Sequence, residues 1–231
     1  MILSFKEHPL TVATVTQPED IVYLEGSGIV TAEVLEFRLD VLVKSVDSAT
    51  KVMRTVENSS LLTVRSPEEQ GANSLTTEDR LTLYGENLSS VELVDTEIAS
   101  LKLEAFQGFP AQVHERGAKL IGSLHEFDSF PGIHSLRSRV DEAFDLGADI
   151  AKIAVHISEM SQLFDLVTLV ESHHREGRLV SAMGMGPLGK VSRLVLAAAG
   201  SCLNYGYLHI PNAPGQWPAE ELKRLIAAMS S

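Results

Sequence analysis

Asp149-Ile-Ala-Lys152-Ile-Ala-Val-His156 is a strand-like segment with a lysine at its centre, and it gives the first indication of the chemistry of this chain. It is an apolar run with β-branched residues between Gly147 and Ser158, a pattern typical of a buried strand. Side chains on a strand alternate between its two faces, so Lys152 and His156 share a face. Burial disfavours the charged amine, and an uncharged lysine among apolar neighbours can condense with a carbonyl carbon. The alternative is a lysine at a strand end that reaches solvent or pairs with a structural carboxylate.

The composition limits the classes of protein to which this chain can belong. Of its 231 residues, 44% are hydrophobic and 22% are charged, which is ordinary for a globular protein. Its apolar runs are shorter than the ~20 residues of a membrane span, and its N-terminus does not have the pattern of a signal peptide. The single cysteine, Cys202, excludes an internal disulfide and predicts a cytoplasmic protein in which this thiol packs. A net charge of −12 argues against a nucleic acid partner, so local arginines must hold any anionic ligand.

Short apolar strands alternate with amphipathic stretches along the chain. Strands are predicted at Leu10–Val15, Val34–Asp40, Leu61–Arg65, Val91–Glu97, Leu120–Glu126, Asp149–His156, Leu179–Met185 and Leu203–His209. Helices are predicted at Pro18–Ser27, Lys44–Asn58, Thr77–Leu88, Ser100–Glu115, Ile133–Leu146, Glu159–Glu176, Lys190–Ala199 and Ala219–Met229. Eight strand–helix units in 231 residues predict an α/β protein, a single (β/α)8 TIM barrel as one domain over residues 1–231. The alternative is a doubly wound open sheet, which usually has fewer strands.

Chemistry in a (β/α)8 barrel lies at the C-terminal ends of its strands, and polar residues of this chain fall there repeatedly. Glu36, Arg38 and Asp40 share one face of the second strand. Because helices cover the other face of such a sheet, we expect these charges to point into the barrel and satisfy one another or a ligand. Arg65 and Glu69 lie at and after the end of the third strand.

The later strands add the remaining candidates. Ser123 and His125 lie in phase on the fifth strand, and Arg193 follows the seventh. The loop 209–218 after the eighth strand is rich in proline and glycine, which predicts a lid over the site. Candidates for one site are therefore Lys152, His125, Glu69, Arg38, Arg65 and Arg193. They suit an anionic carbonyl compound, since arginines can hold a carboxylate, the lysine a ketone and the histidine a proton.

Two other kinds of site fit the sequence less well. Gly184-Met-Gly186-Pro-Leu-Gly189 matches G-x-G-x-x-G, but it lies late in the chain and Pro187 offers no backbone donor. This turn could still hold a phosphate, or direct Arg193 towards a carboxylate.

Metal binding by His125, Glu36 and Asp40 is disfavoured because Arg38 and Arg65 would repel a cation. Five further histidines are predicted to lie on the surface: His8, His114, His134, His173 and His174.

Six segments carry a resemblance to a known family. They are Glu36-Phe-Arg38-Leu-Asp40, Thr63-Val-Arg65-Ser-Pro-Glu-Glu69-Gln-Gly71, Ser123-Leu-His125-Glu-Phe-Asp, Ala151-Lys152-Ile-Ala-Val, Ser181-Ala-Met-Gly with Ser192-Arg193, and Asn212-Ala-Pro-Gly-Gln216. In this order they resemble segments of the type I 3-dehydroquinate dehydratases, (β/α)8 enzymes of the shikimate pathway. The chain departs from the family where Asn212 replaces a serine, Gln70 a glycine and Glu126 an aspartate.

The resemblance implies a hydro-lyase that converts 3-dehydroquinate into 3-dehydroshikimate, on the way to aromatic amino acids. Lys152 would form a Schiff base with the C3 ketone, and His125, oriented by Glu69, would move the protons. Substrate-binding residues would be Glu36, Arg38, Arg65, Arg193, Asn212 and Gln216, with Arg193 on the carboxylate and the last two in the lid. No metal, cofactor, nucleic acid or membrane is implied, and a homodimer is one option for the assembly.

Two rival functions stay open. A class I aldolase shares the lysine chemistry, but aldolases that act on phosphorylated sugars need a phosphate site. A barrel that only binds a metabolite or a partner protein would keep the fold without turnover, and Asn212 is the feature that hints at such drift.

Overall fold

Eight parallel strands form the sheet of the computed structural model, which describes residue 5 and residues 9–26, 28–212 and 215–229. The strands are β1 (Leu10–Val15), β2 (Val34–Arg38), β3 (Ser59–Thr63), β4 (Leu93–Glu97), β5 (Lys119–Glu126), β6 (Ile150–His156), β7 (Leu179–Met185) and β8 (Leu203–Tyr207). They run in the order β7-β6-β5-β4-β3-β2-β1-β8. The amide of Cys202 donates to the carbonyl of Val180 at 3.0 Å, which brings β7 and β8 together. The predicted (β/α)8 barrel is confirmed, and the open sheet is excluded.

Helices follow the strands on the outside of the barrel. They are α1 (Pro18–Glu25), α2 (Val46–Met53), α3 (Thr77–Asn87), α4 (Ile98–Leu101), α5 (Phe109–Glu115), α6 (Ile133–Asp145), α7 (Met160–Arg175), α8 (Gly189–Ala198) and α9 (Ala219–Met229). Within the described ranges, none of these helices is both long enough and apolar enough to cross a membrane.

The prediction of one helix over Ser100–Glu115 is wrong. The chain there forms α4, a single 3-10 turn at Glu104–Phe106, and then α5. Gly108 has φ +83°, a left-handed conformation that interrupts an α-helix, and Pro110 lies in the first turn of α5, where it is tolerated.

Other predicted bounds move by a few residues. Helix Lys44–Asn58 shortens to α2, and β2 and β3 end two residues before Asp40 and Arg65. The N-cap of α7 is Glu159, and the Gln162 side chain accepts hydrogen bonds from the backbone amides of Ser158 and Glu159.

The barrel interior is filled in layers of four side chains from alternate strands. Val34, Leu93, Ile150 and Leu203, on β2, β4, β6 and β8, are all fully buried and form an apolar floor. Two residues further along the same strands, the next layer consists of Glu36, Asp95, Lys152 and Tyr205. Alternate strands contribute to the same layer because a (β/α)8 barrel is sheared. The predicted inward face of Lys152 is thereby confirmed, and its charge lies in a layer that also contains two carboxylates.

Gly206 is closely packed and Gly85 is not, so replacement of each by alanine should change the stability of the protein in opposite directions. A β-carbon on Gly206 would lie 2.7 Å from Ala219 Cα and 2.8 Å from Trp217 O, whereas one on Gly85 in α3 would meet nothing within 4 Å. Gly206→Ala should therefore lower the free energy of unfolding by about 1–3 kcal/mol. Gly85→Ala should raise it by up to about 1 kcal/mol, because alanine favours the helix interior. Urea unfolding of both variants measures the difference, and equal effects would contradict this account of Gly206.

Candidate active site

A cavity of about 320 Å³ opens at the C-terminal ends of the strands. Its lining includes all nine site residues expected from the sequence: Glu36, Arg38, Arg65, Glu69, His125, Lys152, Arg193, Asn212 and Gln216. Residues far apart in the chain therefore meet at the end of the barrel where this fold places its chemistry.

The charged residues of β2 point into the barrel, as predicted, and satisfy one another in part. Arg38 donates through Nε and Nη2 to the two carboxylate oxygens of Asp40, both at 2.9 Å. Glu36 accepts a hydrogen bond from the Thr63 hydroxyl at 2.9 Å and lies 3.7 Å from the amine of Lys152. Arg38 is thus held beside the cavity by a bidentate ion pair.

Lys152 is buried, but its expected apolar surroundings are wrong. Its Nζ donates to Asp95 Oδ2 at 2.7 Å and lies 4.1 Å from the ring centre of Tyr205. With Glu36 nearby, two carboxylates and an aromatic face surround the amine. Carboxylates and the face of an aromatic ring are groups that stabilise a nearby positive charge.

Arg65 links the partner of that amine, Asp95, to side chains on β4 and β5. Its Nη2 donates to Asp95 Oδ1 at 2.8 Å, and its Nη1 donates to Glu97 at 2.9 Å and to the Ser123 hydroxyl at 2.7 Å. Burial alone would raise the pKa of Asp95, but the charges of Arg65 and Lys152 outweigh it and hold that pKa well below its usual range. Asp95 is therefore ionised at any ordinary pH and bridges the two cations.

His125 is positioned by Glu69. One carboxylate oxygen of Glu69 lies 2.8 Å from His125 Nδ1 and accepts from the His125 backbone amide at 3.0 Å. The imidazole stacks on Phe127, with ring centres 6.0 Å apart. Fixing Nδ1 in this way leaves Nε2 as the ring nitrogen for proton transfer.

Burial sets the protonation of this pair. It raises the pKa of Glu69 to about 7 and, together with the positive charges of Arg65 and Lys152, lowers the pKa of His125 well below its usual value. A neutral imidazole that can accept a proton is what a general base requires.

Arg193 is the cation of the cavity without a carboxylate partner in the described part of the chain. It is 2% exposed, and its Nε and Nη1 donate only to the backbone carbonyls of Gly184, Gly189, Tyr205 and Gly215, at 2.8–3.1 Å. Burial lowers the pKa of Arg193 only to about 10, so the guanidinium stays charged. A buried cation held by carbonyl dipoles is a receptor for an anion.

The expected lid lies over β1. Asn212 accepts a hydrogen bond from the Thr14 hydroxyl at 3.1 Å, and its backbone amide donates to the Gln216 side chain at 2.9 Å. Residues 213 and 214 of this loop lie outside the described residues. Both polar side chains expected in the lid line the cavity.

Comparisons with known proteins identify the family to which this barrel belongs. A family model described as type I 3-dehydroquinase matches residues 9–231. The chain belongs to the type I 3-dehydroquinase family. As a member of it, the protein is a hydro-lyase.

Individual relatives support this assignment. The chain is 31% identical to a 3-dehydroquinate dehydratase of Methanosarcina barkeri, over 84% of each chain. It is 32% identical to one of Albidiferax ferrireducens, over 85% of this chain and 78% of the relative. The crystal structure of the Geobacillus kaustophilus 3-dehydroquinate dehydratase shares the fold, with a TM-score of 0.85, 24% identity, and 97% and 92% of the two chains covered.

The G-x-G-x-x-G segment of this family member packs its glycines closely. A β-carbon on Gly184 would lie 2.3 Å from Ile157, and one on Gly186 would lie 2.6 Å from the His156 ring. One on Gly189 would lie 3.0 Å from Gly215 in the lid loop. The carbonyls of Gly184 and Gly189 in this segment also accept hydrogen bonds from Arg193.

The departure from the type I 3-dehydroquinase pattern at Gln70 has a measurable geometry. Gln70 has φ +61°, in the left-handed region, where a residue other than glycine is strained by roughly 1–2 kcal/mol. At the next position a β-carbon on Gly71 would lie 2.1 Å from the Arg65 carbonyl. The fold therefore tolerates the loss of the first glycine but not of the second.

Sequence reasoning missed Asp95, Glu97 and Tyr205, all of which are buried around Lys152 or Arg65. The signal was present, since Asp95 and Glu97 are charged residues at the C-terminal end of a predicted strand. His173, expected on the surface, is buried, and its Nδ1 lies 2.8 Å from the Leu169 carbonyl. His8 lies outside the described residues. Within those residues, no group of three or more His, Cys, Asp or Glu side chains could hold a metal ion.

The opposite pKa shifts of Glu69 and His125 predict compensating effects of pH on stability. Between about pH 4.5 and 6.5 the unfolded chain carries its proton on the histidine, and the folded pair carries one proton that burial keeps on the carboxyl side. Both states bind one proton, so the pair adds no slope to the free energy of unfolding.

Single substitutions should expose the two slopes. Glu69→Gln leaves a histidine of lowered pKa, so stability should rise with pH across this range. His125→Gln leaves a carboxyl of raised pKa, so stability should fall as pH rises towards 7. Each slope should reach at most about 1.4 kcal/mol per pH unit in urea unfolding relative to the wild type. Two variants with the slope of the wild type would contradict the shifts.

Proposed function

We propose that this protein dehydrates 3-dehydroquinate to 3-dehydroshikimate through a Schiff base on Lys152. The observation that carries the proposal is the meeting of three groups in one cavity: the buried amine of Lys152, the imidazole of His125 and the guanidinium of Arg193. They match a ketone, an acidic C–H bond and a carboxylate in one small molecule. The relatives named 3-dehydroquinate dehydratase support the choice of that molecule.

The environment of Lys152 suits an imine mechanism. The Lys152 ammonium first gives one proton to His125 or to solvent, and the neutral amine attacks the C3 carbonyl carbon. The oxygen then leaves as water with that returned proton and a second one from the nitrogen, so a protonated imine remains at the former position of the ammonium. Asp95 and the Tyr205 ring already face that position, at 2.7 Å and 4.1 Å from Nζ. The charge of the intermediate is thereby met by groups that need not rearrange.

Neutral His125 then acts as base and acid in turn. It takes the C2 proton, and the electron pair of the C–H bond moves towards the imine nitrogen to form an enamine. The C1 hydroxyl leaves with the proton that His125 returns, the imine is restored, and its hydrolysis releases the product and Lys152. Glu69, within 2.8 Å of Nδ1, stabilises the imidazolium while it exists.

Arg193 would supply the charge that binds the substrate carboxylate. The other arginines around the cavity already have carboxylate partners: Arg38 pairs with Asp40, and Arg65 pairs with Asp95 and Glu97. Glu36, Arg38 and Arg65 would then contact ring hydroxyls, and Asn212 and Gln216 would close over the substrate.

We also propose that the protein works in the reducing cytoplasm. Cys202 is buried, and burial raises the pKa of its thiol to about 12, so the cysteine is an inert packing residue.

Reductive trapping tests the covalent step. Incubation with 3-dehydroquinate and borohydride should add one substrate-derived mass to the wild type and to His125→Ala, and none to Lys152→Ala. Lys152→Ala should lose several orders of magnitude in kcat, since no other described lysine lines the cavity. The matched control is Lys119→Ala at the opposite end of the barrel, which should trap and turn over normally. Water elimination without an adduct on the wild type would refute the mechanism, and an adduct without elimination would favour the rival readings.

Asn212 should affect binding more than chemistry. Asn212→Ser restores the residue usual in the family but shortens the side chain that accepts from Thr14, so the lid should be held less firmly on β1. We expect KM for 3-dehydroquinate to rise about three- to tenfold while kcat changes less than threefold. Thr14→Val, which removes the donor to Asn212, should change KM in the same direction. Steady-state kinetics measures both, and a loss confined to kcat would contradict this role.

A further inference from the structure

Helix α3 lies outside the barrel, yet two of its side chains reach the strand ends that carry the site. Arg80 and Tyr84 are one helical turn apart, and both are buried, at 2% and 0% exposure. The start of α3 is fixed by a capping box, in which the Thr76 hydroxyl accepts from the Asp79 amide at 3.1 Å and Asp79 accepts from the Thr76 amide at 3.0 Å. Neither Arg80 nor Tyr84 lines the cavity.

Arg80 donates hydrogen bonds to the C-terminal ends of both β3 and β4. Its Nε donates to the carbonyl of Val64 at 2.9 Å, directly before Arg65 in the chain. Its Nη2 donates to Glu97 at 2.5 Å, and its Nη1 donates to Ser100 at 3.0 Å. The Ser100 hydroxyl donates to the same oxygen of Glu97 at 2.6 Å.

Tyr84 holds the backbone of the same two strand ends. Its hydroxyl donates to the Asp95 carbonyl at 2.6 Å and accepts from the Val64 amide at 3.2 Å. One face of α3 therefore fixes the backbone next to Arg65 and the backbone of Asp95.

Glu97 passes the effect of Arg80 into the barrel. One of its oxygens takes the bond from Arg80, and the other accepts from Arg65 Nη1 at 2.9 Å and from the Ser66 amide at 2.9 Å. Arg65 in turn bonds Asp95, and Asp95 bonds Lys152 at 2.7 Å. Alternating charges thus run without a break from Arg80 outside the barrel to the reactive amine.

We propose that Arg80 is a positioning residue for the reaction, acting through Glu97 and Arg65 on Asp95 and Lys152. The inference rests on the proposed function and extends it to a residue that touches no substrate. Without Arg80, Arg65 is the one cation that remains paired with Glu97 among the described residues. The Glu97 carboxylate is then held less firmly, and with it the orientation of Arg65 towards Asp95. Misplacement of reacting groups by about 1 Å can cost a hundredfold in rate.

Two variants separate charge from geometry. Arg80→Gln keeps a polar side chain but removes the charge, and should lower kcat about ten- to a hundredfold with a smaller change in KM. Arg80→Lys keeps the charge beside Glu97 but loses the fork that reaches Val64 and Ser100. Arg80→Lys should recover part of the lost kcat. It also keeps the proposal testable if Arg80→Gln does not fold.

The pH profile gives a readout that a purely structural role would not move. Charged groups that face Glu97 are Arg65, Arg80, Glu68, Glu69 and Asp95. Removal of the Arg80 charge makes protonation of Glu97 easier. In Arg80→Gln, the acidic limb of the pH profile of kcat should therefore shift to higher pH. Arg80→Lys should keep the limb of the wild type.

The control is Val170→Ala, a buried residue of α7, which packs beside β7, three strands from β4. Single-turnover trapping with 3-dehydroquinate and borohydride, at a temperature where every variant is folded, should be slow in Arg80→Gln and normal in the control. A lower Tm for Arg80→Gln with kcat, trapping rate and pH profile within twofold of wild type would overturn the proposal. Failure of the proposed function is distinguishable, since the wild type itself would then neither trap nor turn over, and the inference would fall with it.

Discussion

The buried lysine in the barrel interior, Lys152, requires the charged residues around it. A charge removed from water costs several kcal/mol unless it is paired, and Lys152 lies in the interior one layer above an apolar floor. Asp95 pairs with it at 2.7 Å, and Asp95 in turn requires Arg65. Each further buried charge needs a partner of opposite sign. The result is a network in which four cations (Arg38, Arg65, Arg80 and Lys152) pair with four carboxylates (Glu36, Asp40, Asp95 and Glu97).

That balance is compatible with the proposed binding of an anionic substrate in a protein with a net charge of −12. The paired charges cancel locally, and burial raises the pKa of Glu69 to about 7, which weakens its negative charge. Arg193, held by carbonyl dipoles, remains as the positive charge that a ligand can neutralise. A network of this kind need not stabilise the fold, since buried ion pairs often only offset their own desolvation. Its benefit is a fixed electrostatic field around the amine of Lys152.

Local patterns in the chain predicted the architecture because strand and helix periodicity depends on near neighbours. The inward face of Glu36, Arg38 and Asp40 follows from alternation along one strand, and the structure confirms it. Local reasoning failed where two signals conflicted, as at Gly108, whose left-handed backbone divides a segment of otherwise helical pattern. It also failed for the surroundings of Lys152, because the apolar neighbours in its own strand are not its neighbours in the barrel.

The amino-acid sequence was enough to predict the (β/α)8 fold and the end of the barrel at which the site lies, and the family resemblance added Asn212 and Gln216 to the expected residues that line the cavity. Strand alternation and the order of the segments carry that information along the chain. The pairing of the charges could not be predicted from the sequence, because it depends on how the strands are arranged around the barrel. Barrel shear places Glu36, Asp95, Lys152 and Tyr205 in one layer, although 169 positions of the chain separate the first from the last. Arg80 joins the site from a helix outside the barrel through Glu97, a contact for which strand periodicity has no signal.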